Sequence, residues 1–380
     1  KHLINMIKRQ LQDIIENRLF QRKAIVLIGA RQVGKSTLFQ TIVDGNDKKT
    51  LFLDCDDPEV RETLTNANTT ELKLLIADNN IVFIDEAQRI ENIGLTLKII
   101  TDRFPECQLL VTGSSAFDLS NNINEPLTGR KYEYNLFPIS TNELLKSNGL
   151  LFVKQSLESR LIYGSYPDVL TNQQNAKELL MNLSSSYLYK DILKLENIRK
   201  PELLDKLLVA LALQVGSEVS YNEVGQTIGT DSKTVEKYIG LLERCFVIFR
   251  LNAFSRNVRT ELKKSKKIFF YDNGIRNAII QNFSLLALRN DKGALWENFF
   301  ISERIKRNHY SGCFARVYFW RTSEKQEIDY IEEENGKFRI FELKANPSKG
   351  KTSFPSTFTN NYNIEQSVVI TPDNYIEYLI

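Results

Sequence analysis

A short apolar run at residues 24–28 leads straight into Gly29-Ala30-Arg31-Gln32-Val33-Gly34-Lys35-Ser36, and a helical stretch follows. Every fixed position of G-x-x-x-x-G-K-[ST] is filled, with a strand before it and a helix after it. Few folds accept such a segment. The glycines let the backbone curl so that its N–H groups face a phosphate, and the positive end of the helix adds to that field. The expected ATP-binding residues are therefore Gly29, Ala30, Arg31, Gln32, Val33, Gly34, Lys35, Ser36 and Thr37. Lys35 is expected to reach the β- and γ-phosphates and Ser36 to ligate Mg²⁺.

Further apolar runs at 51–53, 81–84 and 109–111, with a weaker one at 132–137, alternate with helical or polar stretches. That rhythm predicts a parallel sheet covered on both faces, preceded by an amphipathic helix over residues 7–20. The run at 81–84 ends in Asp85-Glu86, two carboxylates at the strand's C-terminal edge, where ligands sit in open α/β sheets. Asp85 is placed to hold the Mg²⁺ shell and Glu86 to polarise the attacking water. Ser114, after the next strand, either senses the γ-phosphate or lies in a simple turn. Arg130 is either an arginine finger, in cis or offered to a neighbouring subunit of a homo-oligomer, or half of a surface ion pair.

Residues 201–275 have the order of a winged helix-turn-helix. Three helical segments, the last two joined at Gly229, precede two strands. Lys233, Lys237 and Tyr238 are expected on the outer side of the third helix. Arg256, Arg259, Lys263, Lys264 and Lys266 form a dense basic patch in a chain whose net charge is only +3. The patch either binds a DNA backbone or is simply solvated, with the module serving as a protein spacer.

In the last hundred or so residues, a helix carries Glu297, a strand carries Asp329, and the next strand carries Glu342 and Lys344. Residues two apart on a strand share a face, so these groups are expected to surround a second Mg²⁺ or Mn²⁺ able to activate water against a phosphodiester. The competing reading is the solvated face of a hairpin that turns at Glu334-Asn335-Gly336.

The four cysteines, Cys55, Cys107, Cys245 and Cys313, form no C-x-x-C pair, and with only two histidines there is no zinc-ligand set. The longest apolar run, 207–213, falls far short of the ~20 residues of a membrane span. A cytoplasmic protein with no membrane partner is expected.

The chain resembles a bacterial and archaeal family of AAA-type P-loop ATPases with a C-terminal domain related to PD-(D/E)XK nucleases. The likeness rests on residues 24–37, Phe83-Ile84-Asp85-Glu86-Ala87-Gln88, Val111-Thr112-Gly113-Ser114-Ser115 and Leu127-Thr128-Gly129-Arg130. It continues through Gly164-Ser165-Tyr166-Pro167, Tyr271-Asp272-Asn273-Gly274, Trp296-Glu297-Asn298, Glu327-Ile328-Asp329 and Phe341-Glu342-Leu343-Lys344. The resemblance implies an α/β multidomain chain: a P-loop NTPase sheet (1–140), a helical lid or linker (141–200), a winged helix (201–275) and a restriction-endonuclease-like α/β domain (276–380). It carries Lys35, Ser36, Asp85 and Glu86 over as ATP-site residues and Glu297, Asp329, Glu342 and Lys344 as a nuclease-type set. The expected function is an ATPase acting on DNA with a metal-dependent nuclease domain. The alternative is an ATP-switched module that binds DNA or a protein partner and has an inert nuclease fold.

Overall fold

In the computed structural model, residues 7–114, 126–187, 201–255, 265–346 and 353–380 are described. They build one parallel sheet of five strands, a helical region, and a mixed sheet of seven strands.

The first sheet contains β1 (Ala24–Ile28), β2 (Thr50–Asp54), β3 (Ile81–Asp85), β4 (Gln108–Gly113) and β5 (Lys131–Asn135), in the order β2-β3-β4-β1-β5. All neighbours are parallel. The three inner strands are buried along their whole length, as apolar runs covered on both faces should be. Helices α1 (Gln10–Glu16), α2 (Lys35–Asp44), α3 (Pro58–Leu64), α4 (Thr69–Ile76) and α5 (Ile93–Arg103) complete this part of the chain. Helix α1 is shorter than expected: beyond Glu16 the bonding tightens to Arg18 N–H with Ile15 and Leu19 N–H with Glu16, and left-handed backbone at Phe20 and Arg22 then turns the chain toward β1. Because β4 lies between β1 and β3, the C-terminal ends of these three strands line up on one edge.

Next come α6 (Thr141–Gln155), α7 (Leu157–Tyr163), α8 (Pro167–Thr171) and α9 (Ala176–Asn182). Helix α6 opens with a capping box, Ser140 to Glu143. The 201–275 segment then gives α10 (Pro201–Leu213), β6 (Glu218–Val219), α11 (Tyr221–Ile228), α12 (Ser232–Arg244), β7 (Ile248–Ala253) and β8 (Lys266–Phe270). Gly229, at φ 81°, ends α11.

Beyond these lie α13 (Asn273–Ile279), α14 (Lys292–Tyr310), β9 (Arg316–Arg321), β10 (Glu327–Glu334), β11 (Lys337–Leu343), α15 (Ser356–Thr359) and β12 (Asn363–Ile370). The β10–β11 turn is the expected hairpin, with Asn335 and Gly336 both at positive φ. The second sheet runs β12-β11-β10-β9-β7-β8-β6. Parallel pairing of Asn252 with Tyr318 and Ala253 with Phe319 joins β7 to β9, so this sheet crosses the expected boundary at residue 275.

The two sheets are tied through α14. Glu303, buried, accepts from the Thr141 N–H (2.5 Å) and the Lys306 ammonium (2.7 Å), with Arg160 at 3.5 Å. His309 Nε2 accepts from the Asn135 N–H and the Tyr310 hydroxyl oxygen from the Phe137 N–H, each at 3.0 Å. Replacing Glu303 by Ala strips two buried cations of their carboxylate. Such losses cost about 3–5 kcal/mol. The expected outcome is a clear drop in the unfolding midpoint, followed by fluorescence of Trp296 on α14; an unchanged midpoint would show that the latch is not needed.

Candidate functional site

At the end of β1, Gly29 is required sterically: a Cβ there would sit 2.2 Å from the Leu136 carbonyl oxygen, where β5 exits. Gln32 and Gly34 then take left-handed backbone, and the loop curls into α2. The buried Arg9 braces it, donating to the carbonyls of Val33 and Phe137 (2.6 Å each) and to Glu143 (3.0 Å). Lys35, also buried, donates to the carbonyls of Gly29 (3.0 Å) and Ala30 (2.9 Å). The residue before α2, Gly34, has no side chain with which to cap the helix, so the positive end of α2 opens directly onto the loop.

The structure brings Asp85 to this loop. The Ser36 hydroxyl lies 2.9 and 2.7 Å from its two oxygens, and Thr112 donates to the same carboxylate. Glu86 follows in left-handed backbone, its N–H donating to Thr112 Oγ1 (3.0 Å). The Gln88 amide donates to Glu86 and to Ser114 Oγ (2.8 Å), and its oxygen accepts from the Ser114 N–H (3.3 Å). Ser114 and Glu86 are therefore one amide apart. Sequence alone does not single out Gln88, Thr112 or Arg9 for this site; the signal for Gln88 is its place two residues after Glu86. Cys55 lies beside these acids, and burial, then Asp54, Asp85 and Glu86, push its thiol up to about 12.

Arg130 is not brought to the loop of its own chain. Its carbonyl accepts from the N–H of Ala24, the first residue of β1, whereas the phosphate loop follows the last. Its guanidinium pairs with Asp102 at 2.6 Å.

The donor set fits a magnesium nucleotide: hard oxygens on Ser36 and Asp85, a lysine ammonium, and an open helix start. Residues 21–145 match the AAA domain family, so this part of the chain is an AAA-type P-loop ATPase domain. Residues 154–286 and 292–379 match two domains of unknown function, DUF8612 and DUF4143. An uncharacterized protein of Mycobacterium tuberculosis is 26% identical over 360 residues, covering 92% of this chain and 75% of that protein. An uncharacterized protein of Haemophilus influenzae is 25% identical over 335 residues, covering 80% and 78%. Among solved structures, a Walker-type ATPase of Pyrococcus abyssi is similar at 16% identity and a TM-score of 0.49, covering 72% of this chain and 96% of that one.

In the second sheet, Asp329 accepts from the Leu343 N–H at 2.7 Å, and Glu342 pairs with Lys344 at 2.6 Å. Glu297 is held instead by Lys267 at 3.0 Å, and Lys267 also bonds Glu327 at 2.9 Å. The expected second metal is not supported. Among the described residues, no three His, Cys, Asp or Glu side chains are grouped to hold an ion. Lys267 does not stand out in the sequence because it adjoins Lys266 in a basic stretch. Neighbouring strand residues face opposite ways, so only one of that pair could join an outward patch.

On α12, Lys233 and Lys237 are exposed as expected, but Tyr238 is buried. The reason is helical spacing: Tyr238 falls three residues after Val235, on the apolar face. The Lys266 ammonium lies over the Tyr221 ring at 5.1 Å. Arg256, Arg259, Lys263 and Lys264 lie outside the described residues.

Burial, then the charges of Glu297 and Glu342, push the Asp329 carboxyl up to about 8. A carboxyl raised on folding binds more protons in the native state, so its contribution to stability falls as pH rises from about 4 to about 8. Asp329→Asn should therefore raise the thermal midpoint more at pH 9 than at pH 5; an equal shift at both would refute this assignment.

Proposed function

We propose that this protein is an ATP-hydrolysing switch that engages DNA through its second half, with an inert nuclease-like cluster. The observation that carries the ATPase reading is the Ser36–Asp85 pair beside Glu86, at the mouth of a phosphate loop. Lys35 would hold the phosphates, and Ser36 and Asp85 the Mg²⁺ shell. When bound, the metal supplies positive charge to the phosphate oxygens. Glu86 takes the proton of the attacking water. Gln88 orients Glu86 and couples it to Ser114, our candidate for sensing the γ-phosphate. Arg130, half-buried beside Asp102 and away from the loop of its own chain, is offered as a finger to a neighbouring copy.

Lys35→Ala should lose ATP binding in calorimetry. Glu86→Gln should retain binding and lose turnover, since a general base contributes about 10²–10⁴-fold. Undiminished turnover in Glu86→Gln would remove it as the base.

The DNA reading is supported by the order of α10, β6, α11, α12, β7 and β8, which is that of a winged helix, and by the exposed Lys233 and Lys237 on α12. Glu218, Glu223 and Glu236 share an adjoining cleft of about 570 Å³ with Lys233 and Lys266. Removing one phosphate-binding cation lowers the slope of log affinity against log salt by about 0.9. Lys233→Ala/Lys237→Ala should weaken duplex binding in anisotropy and flatten that slope by about 1.8. Equal affinity in wild type and variant would remove α12 as the DNA-facing helix.

A further inference from the structure

Six ionisable side chains share one region of the second sheet. They are Glu297 on α14, Glu327 and Asp329 on β10, Glu342 on β11, Lys344 just beyond it, and Lys267 on β8. Carboxyl groups gathered in one region ionise at a cost unless cations lie among them. In a metal-dependent site that cation is a divalent ion, held by several oxygens in nearly fixed geometry. Here the geometry differs. The Lys267 ammonium belongs to a residue 3% exposed and lies 3.0 Å from Glu297 and 2.9 Å from Glu327. The Phe319 ring lies under it, 5.3 Å away, and Phe319 is itself buried. An aromatic face attracts an ammonium but offers no lone pair to a hard divalent ion. On another side, Gly216 brings bare backbone against Glu297: a Cβ there would be 3.2 Å from Oε2. Lys344 engages Glu342, and the Leu343 N–H engages Asp329.

Solvent access is not what keeps a metal out. Glu327 and Glu342 line an open cleft of about 510 Å³, together with Gln326 and Phe354. The obstacle is the lysine. Its ammonium already sits between Glu297 and Glu327, at 3.0 and 2.9 Å, with a ring on its other side. We infer that the Lys267 ammonium is the built-in cation of this cluster and excludes a divalent metal from the C-terminal half of the chain. The charge that a metal would contribute is delivered by a strand of the neighbouring helix-turn-helix segment, and the nuclease-like set becomes a structural joint.

The test is Mn²⁺ binding to the full chain without nucleotide, read by electron paramagnetic resonance. The proteins compared are wild type, Asp329→Asn, Lys267→Met and Lys267→Met/Asp329→Asn. Wild type and Asp329→Asn should bind Mn²⁺ equally. Lys267→Met should gain one bound Mn²⁺ per chain, and the double variant should lose it. An Mn²⁺ bound by wild type and removed by Asp329→Asn would overturn the inference, as would a folded Lys267→Met that gains none. Should Lys267→Met fail to fold by circular dichroism, Lys267→Gln, which keeps a donor toward Glu297, takes its place. The comparison of wild type with Asp329→Asn decides the first point without either variant.

Discussion

Glu303 has no route to solvent and is shared among three elements: its oxygens take the first N–H of α6, the Lys306 ammonium one turn along α14, and the approach of Arg160 from α7. A carboxylate in that position is tolerable only when all of these partners are in place. The charge therefore does more than hold two helices. It makes the docking of α14 conditional on a correctly placed α6, and α6 in turn holds Glu143, which anchors Arg9 against the phosphate loop. Two buried ion groups, Arg9 with Glu143 and Glu303 with Lys306 and Arg160, thus meet at the first turn of α6.

The two acidic sites show how the same side-chain type is prepared for different ends. Asp85 is held by the hydroxyls of Ser36 and Thr112, which orient it without neutralising it. Its negative charge remains available. Glu297 and Glu327 are already satisfied by an ammonium with a full charge of its own. Neutral donors leave a carboxylate ready for a cation; a buried lysine removes that readiness.

What can be read from the sequence is what is local. The phosphate loop, the strand ending in Asp85-Glu86 and the hairpin at Asn335-Gly336 each declare themselves within a few residues, through glycine placement and periodicity. The five strands of the first sheet are legible for the same reason. Arg130 and Lys267 are not, because their roles depend on distant pairings. Arg130 precedes a strand whose neighbour begins, rather than ends, beside it. Lys267 acquires its partners from α14 and β10, which follow it in the chain. The joining of β7 to β9 rests on two residue pairs, too short a pattern to show in the sequence. Tyr238 departs from expectation for a smaller reason: an aromatic residue beside a lysine on an amphipathic helix belongs to whichever face its spacing dictates.

Helix α14 has 19 residues, which at 1.5 Å per residue makes a strut of about 28 Å. One end presents Glu297 to Lys267; the other presents His309 and Tyr310 to the exit of β5, the segment whose Leu136 carbonyl presses on Gly29. A strut pinned at both ends does not bend easily. Movement of the β5 exit against the nucleotide loop must either break the pins at Asn135 and Phe137 or tilt the whole shaft. The far sheet is thereby mechanically earthed to the place where phosphate would sit.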